Sequence, residues 1–214
     1  TWLQPELRAA IGNCSIFVEP YCGGGSGSLM ALFEELSDHV VMNEIDPAVR
    51  VVWDVVFSDM NAELCSLITD FEMTRENAIE IENSTPSDPL MKAFRTIIRN
   101  RANHGGKLSV GTGMIKHGDG KGVASRWYPE TLVKRISPLV NYSDRVTVSG
   151  IDGAACIQEY SHDKEAFAFI DPPYTASKKS PGSRLYDFSE IDHEELFDVT
   201  TNFQGRFLMT YELD

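Results

Sequence analysis

The sequence predicts an α/β chain in which a doubly wound parallel sheet is interrupted by one mainly helical insertion. Three observations predict it. A short apolar run ends in a glycine cluster and passes into helical periodicity, a second apolar run repeats that order, and about 145 residues after the glycine cluster a fully apolar strand ends in Asp-Pro-Pro-Tyr. A chain of 214 residues is long enough for one such core plus one insertion.

Ile16-Phe17-Val18 runs into Glu19-Pro20 and the glycines, which reads as a buried strand entering a tight turn. Ser28–Leu36 follows with apolar residues at helical spacing. His39–Ile45 is a second strand, closed by Asp46-Pro47. Ala48–Phe57 then forms a helix with Val49, Val52, Trp53 and Val56 expected inward. From Ser58 the pattern loosens into helices with a break at Ser84–Pro89, and a further helix covers Leu90 to Arg101. The glycine-rich stretch Gly105–Gly122 reads as a surface loop or loose hairpin with few core-forming residues. Pro129–Ile136 opens on a helix-initiating proline, and Arg145–Ser149, Ala166–Ile170 and Arg206–Tyr211 read as strands. This assigns 1–57 and 143–214 to the core and 58–142 to the insertion.

The net charge of -13 is unfavourable for a partner rich in phosphate, but its distribution is uneven. Between Lys92 and Arg135 ten basic residues face only Asp119 and Glu130, a local charge of +8 that leaves -21 for the rest. The chain is acidic with one basic island. Its apolar runs are too short to span a bilayer and its first residues lack a signal-peptide pattern, so the expected setting is cytoplasmic, with no membrane partner. Cys14, Cys22, Cys65 and Cys156 are far apart without CxxC spacing, and the five histidines show no ligand spacing, so reduced thiols and no metal are expected.

Ligands of open α/β sheets sit beyond the carboxyl ends of the strands, where two motifs lie. Glu19–Ser28 (EPYCGGGSGS) puts glycines where the backbone must turn and a ligand must approach closely. The glycines alone do not separate a nicotinamide dinucleotide from S-adenosylmethionine, and Glu44 suits ribose hydroxyls in either case. Counted from Gly23, the third small residue of GxGxxG falls on Ser28, which tilts the balance away from the dinucleotide. Asp171-Pro172-Pro173-Tyr174 is more specific. The amino nitrogen of adenine is a poor nucleophile because its lone pair is delocalised. Asp171 and the Pro172 carbonyl can accept its two hydrogens from a backbone stiffened by the prolines, while Tyr174 offers a stacking face to an extruded base.

These residues resemble the Dam-type (class alpha) adenine-N6 DNA methyltransferases nearly end to end. The likeness runs through Phe17–Tyr21 with the glycines, Asn43–Pro47, Asn100-Arg101-Ala102 with Gly105-Gly106, Phe169–Tyr174, Tyr186, His193 and Leu208–Tyr211. The resemblance implies a Rossmann-like S-adenosylmethionine-dependent methyltransferase sheet with an inserted, mainly helical target-recognition region. It implies that Glu19, Tyr21, Gly23, Gly25 and Asp171 line the cofactor site, that Glu44 holds the ribose, and that Asp171, Pro172, Pro173 and Tyr174 are the catalytic tetrad. The basic island falls where such enzymes read double-stranded DNA. The expected nucleic-acid contacts are Arg95, Arg99, Arg101, Lys107, Lys116 and Arg126, with Lys178 and Lys179 in the polar loop after the tetrad. Arg126-Trp127-Tyr128 reads as a packed anchor for the insertion or as a contact to an unstacked base. A monomer is expected, with a cognate restriction endonuclease as a partner of the system. The family's glycine-lysine segment would fall ahead of Thr1 and its further elements beyond Asp214, so a portion of a longer protein, or a diverged copy, is expected.

Other readings stay open on the residues. An amino-methyltransferase acting on RNA or on cytosine N4 would keep most of the motif, although Asp at its first position favours adenine. A non-catalytic DNA-binding relative would keep the island and lose the cofactor. Asp-Pro-Pro-Tyr argues against a nicotinamide-dependent oxidoreductase.

Overall fold

A computed structural model describes residues 3–109, 112–117, 120–173 and 191–210. The described residues fall into two compact units, one holding everything up to Arg50 and from Asp144 on, the other Val51–Ser143.

The first unit is a five-stranded parallel sheet with helices on both faces. Its strands are β1 (Cys14–Glu19), β2 (Ser37–Asn43), β3 (Val146–Ser149), β4 (Ala166–Ile170) and β5 (Arg206–Met209), in spatial order β3-β2-β1-β4-β5. All neighbours are parallel, with Phe17 opposite both Val40 and Phe167. Residues that alternate along a strand point to opposite faces. On one face Val18, Val41, Ala168 and Ile170 pack with Cys156, Ile157 and Leu196 of helices α8 (Gly153–Glu159) and α9 (His193–Thr201). On the other, Phe17 stacks on Phe167 with ring centroids 5.9 Å apart, and the sheet is covered by α1 (Leu3–Ile11) and α2 (Ser26–Phe33). All five β4 residues are buried, which is why its sequence is apolar without alternation. This is the α/β, Rossmann-like class expected from the sequence.

Arg206 ties the outer strand to α1. It donates to the carbonyls of Ala10 and Asn13 at 3.0 Å each and lies 5.7 Å over the Phe167 ring. Helices α1 and α8 have no counterpart among the predicted elements. The second begins at an Asp152 cap, whose carboxylate accepts the Ala154 and Ala155 amides at 2.8 and 3.3 Å.

The second unit is helical. It contains α4 (Asn61–Asp70), α5 (Arg75–Asn83), α6 (Pro89–Ala102) and α7 (Pro129–Ile136), while α3 (Pro47–Val56) begins in the first unit and ends in the second. The break between α5 and α6 falls on the predicted Ser84–Pro89. Asp88 accepts the Met91 amide at 2.9 Å, with Pro89 at the first helical position. Thr74 caps α5 by accepting the Asn77 amide at 3.1 Å.

Two expectations need correction here. In α3 Val56 is buried as expected, but its buried companion is Val55, while Val49, Val52 and Trp53 are half-buried, Trp53 stacking on Phe57 with centroids 6.1 Å apart. The glycine-rich stretch is also less superficial than its composition suggests. Met114, Ile115 and, just beyond it, Val123 are buried, and Met114 forms an antiparallel bridge with Asn103. Glycines supply turns there, so a few apolar side chains suffice to dock the segment. Phe71 joins Phe94 and Trp127 edge-on, at 5.3 and 5.8 Å, which places Trp127 in the packing of this unit.

Candidate active site

The carboxyl ends of five parallel strands form one edge of the sheet, and the chain departs from β1 toward β2 on one side and lies beside β4 on the other. That divergence is the switch point at which doubly wound sheets hold ligands. Glu19 ends β1 and Asp171 follows β4, so the switch point is flanked by two carboxylates. Glu44 follows β2, and Thr210 follows β5.

Glu19 is turned into the fold and is 3% exposed. It accepts the Gly27 amide at 3.3 Å, the Ser28 amide at 2.8 Å and the Ser28 hydroxyl. These donors are the first turn of α2, whose N-cap residue Gly25 has φ 64° and offers no side-chain cap, so the Glu19 carboxylate does the capping. Burial pushes the Glu19 carboxyl up to about 7 against the pull of these hydrogen bonds, and the charge of Asp171 adds to the rise. Gly27 is required by this approach, because a Cβ there would stand 2.9 Å from both the Glu19 Oε1 and the Phe169 ring.

Glu44 braces the glycine turn from the other side. One oxygen accepts the Gly23 amide and the other the Asp46 amide, both at 2.9 Å, while burial raises its pKa against those bonds. The turn itself is closed by the Gly25 amide donating to the Cys22 carbonyl at 2.6 Å. Gly23 has φ 46°, and a Cβ on either Gly23 or Gly24 would meet nothing within 4 Å, so the turn presents its backbone to open space.

Asn43, fully buried, connects these pieces. Its amide donates to the carbonyls of Pro20 and Ile151 at 2.9 and 3.0 Å, and its oxygen accepts from the Ser149 hydroxyl and the Ile151 amide at 2.6 and 3.1 Å. One side chain thereby fixes the segments leaving β1, β2 and β3, with all its hydrogen-bonding groups engaged. Sequence reasoning placed Asn43 only in a motif. Its signal was a polar residue ending an otherwise apolar strand.

Asp171 is half-buried, and Thr210 anchors it. The Thr210 hydroxyl donates to Asp171 Oδ1, while the Thr210 amide donates to the Ile170 carbonyl at 3.0 Å. Pro172 is buried and Pro173 half-buried. Tyr174, with Lys178 and Lys179, lies outside the described residues. Tyr21 packs its half-buried ring against α8 on the edge of the core cluster. A Cβ on Gly153 would come within 2.2 Å of that ring, and burial, with the Asp152 charge, raises the Tyr21 hydroxyl far above its usual range. Thr210, Gly153 and Gly27 are further site residues that sequence reasoning missed.

The edge therefore gathers Glu19, Gly23, Gly25, Glu44 and Asp171. Arg95, Arg99, Arg101, Lys107, Lys116 and Arg126 all lie in the helical unit. A cleft of about 540 Å³ lies elsewhere, at the amino ends of the strands near Cys14, Ser37 and Arg206. Neither motif reaches it, and the arrangement of acceptors at the carboxyl edge outweighs its volume. Among the described residues no cluster of His, Cys, Asp and Glu is arranged to hold a metal ion, and no helix is long and apolar enough to cross a membrane.

No family model matches the chain. It is 24% identical over 218 residues to the Type II methyltransferase M.MjaIII of Methanocaldococcus jannaschii, an alignment covering 91% of this chain and 71% of that protein.

Proposed function

We propose that the chain transfers the methyl group of S-adenosylmethionine to the N6 amino group of adenine in duplex DNA, in the manner of the Dam-type enzymes. The observation that carries this reading is the placement of Asp171. It opens the Asp-Pro-Pro-Tyr motif at the switch point of the sheet, with its carboxylate oriented by the Thr210 hydroxyl. Similarity to a methyltransferase over nearly the whole chain supports the same reaction class.

The residues present fit the cofactor. The open backbone at Gly23 and Gly24 leaves room for it, and the Glu44 oxygens, each accepting one amide, have further lone pairs for ribose hydroxyls. When bound, S-adenosylmethionine supplies an electrophilic methyl group on a sulfonium. The chain's task is to make the adenine nitrogen attack it. Asp171 accepts one N–H and the Pro172 carbonyl the other, which draws the nitrogen toward tetrahedral geometry and concentrates its lone pair on the methyl carbon. Buried Pro172 limits the freedom of that carbonyl. Tyr174 stacks on the base once it has left the helix. The helical unit is the target-recognition region, and some of its basic residues hold the DNA backbone. A cytoplasmic setting and a cognate restriction endonuclease belong to the same reading.

The test is to incubate the protein with methyl-labelled S-adenosylmethionine and duplex DNA of diverse sequence, digest the product and identify the labelled nucleoside. N6-methyladenine is expected. Label in N4-methylcytosine, or label only when RNA is offered, would replace the substrate assignment. DNA binding with no methylated base would make the chain a binding module.

A further inference from the structure

The basic residues of the helical unit fall into two groups. The Arg95 Nε and Nη2 donate to the Glu82 carbonyl at 3.0 and 2.7 Å, and the Arg99 Nη2 donates to the Leu108 carbonyl at 2.6 Å. Both guanidiniums also act on the Glu82 carboxylate, pulling its pKa down against the effect of burial. These two cations have their acceptors and a counter-charge inside the fold.

Arg101 is held differently. It is half-buried at the end of α6, and its Nε has no hydrogen-bond partner among the described residues. Burial lowers its pKa, and the charges that add to the lowering are two more arginines, Arg126 and Arg135. Arg126 is brought to this place by the backbone beside Arg101, with Nη1 donating to the Asn103 carbonyl at 3.2 Å. Its guanidinium lies against Gly106, at φ +73°, where a Cβ would stand 3.1 Å from Nη2. The Gly106 loop is itself fixed, because the Asn100 amide donates to the Gly106 carbonyl at 3.0 Å and the Asn103 amide to the Lys107 carbonyl at 3.2 Å. Next in the chain, the Trp127 indole N–H is also buried, with no acceptor among the described residues. The fold thus gathers like charges and unmatched donors, an arrangement that costs free energy until an anion rich in acceptors arrives.

We infer that Arg101 and Arg126 form a phosphate-binding site for the backbone of duplex DNA, whereas Arg95 and Arg99 hold the helical unit together. The inference rests on the proposed function in taking DNA as the partner. A guanidinium offers paired N–H donors that match phosphate oxygens, and each phosphate neutralised releases condensed counterions, so the site contributes affinity without reading sequence.

The experiment measures the salt dependence of binding to two duplexes of unrelated sequence, each about 20 base pairs long, for the parent chain and for Arg126→Gln, Arg101→Gln and Arg101→Lys. Exposed Lys164→Gln, in the sheet unit, serves as the control. Each glutamine variant is expected to bind both duplexes about tenfold more weakly at about 0.1 M salt, with the slope of log K against log salt reduced by about one. Arg101→Lys, which keeps the charge and loses the fork, should fall between them and the parent, and Lys164→Gln should match the parent. Circular dichroism checks each fold, and Arg101→Lys provides a substitution that packing tolerates. A parent that binds and methylates DNA while all three variants keep its slope overturns the phosphate site and leaves the proposed function standing. Weakening on one duplex alone overturns it in favour of base reading, and a parent that binds neither duplex overturns both.

Discussion

At the carboxyl edge of the sheet the acids are held by donors of their own chain: Glu19 by the first turn of α2, Glu44 by two amides of neighbouring turns, Asp171 by the Thr210 hydroxyl. In the helical unit Arg101 keeps company with other arginines, and its Nε has no acceptor among the described residues. The edge is organised before any ligand arrives, as a catalytic acceptor must be, since reorienting it during the reaction would cost part of the barrier reduction. A phosphate grip gains from the opposite arrangement, because cations already matched inside the fold have little left to offer a polyanion.

Substitutions can break either side of this contrast. Asn43→Ala should have the largest effect on the edge, since it strands the Pro20 carbonyl in a buried place and removes the partner of the part-buried Ile151 backbone groups and Ser149 hydroxyl. A loss of about 3 kcal/mol in denaturant-unfolding stability is expected. A loss well below 1 kcal/mol would show that the segments leaving β1, β2 and β3 do not depend on it.

Glu19 gives a pH signature of nearly similar size. Its folded pKa, about 7, stands above its ordinary value near 4.5, so between those values the native state holds the proton more tightly than the unfolded chain. Its contribution to stability is therefore fully present below about 4.5 and is lost as pH rises to about 7, a change of up to about 3 kcal/mol. Glu19→Gln should remove that decline. Unfolding curves of parent and variant across this range should converge or diverge with pH in that sense, and a constant difference would contradict the assigned environment.

Thr210→Val should leave DNA affinity unchanged and lower the rate of the proposed methyl transfer about tenfold, with Thr210→Ser restoring most of it, because the Thr210 hydroxyl orients Asp171. A rate effect equal for Val and Ser would point to packing instead. The smallest expected change is Arg95→Gln, which should cost about 1 kcal/mol of stability and leave the salt slope of DNA binding as it was.

How much of this was legible in the sequence depends on how local the cause was. The buried β4 and its Asp-Pro-Pro exit could be read directly, since an unbroken apolar run into a proline pair has few other solutions. The βαβα opening was also legible. The start of α2 was not, because its capping group is the Glu19 side chain outside the helix, and α8, rich in small residues, gave no apolar stripe. Asn43 joins partners up to 108 positions apart, and Thr210 meets Asp171 across 39, so neither bond leaves a mark in local spacing. The basic island was visible as a charge. Which of its arginines are already matched depends on Glu82 and on backbone carbonyls that only the fold brings near.

The proposed division of labour is tested most directly by one pair of measurements on Asp171→Ala and Arg126→Gln, the single-turnover rate of the proposed adenine methylation at saturating enzyme and the dissociation constant for the same duplex. Asp171→Ala should slow methyl transfer by at least about a hundredfold with binding within about threefold of the parent, and Arg126→Gln should weaken binding about tenfold with the saturated rate nearly unchanged. Methyl transfer surviving within about tenfold in Asp171→Ala, or a saturated rate that collapses in Arg126→Gln, would contradict the account.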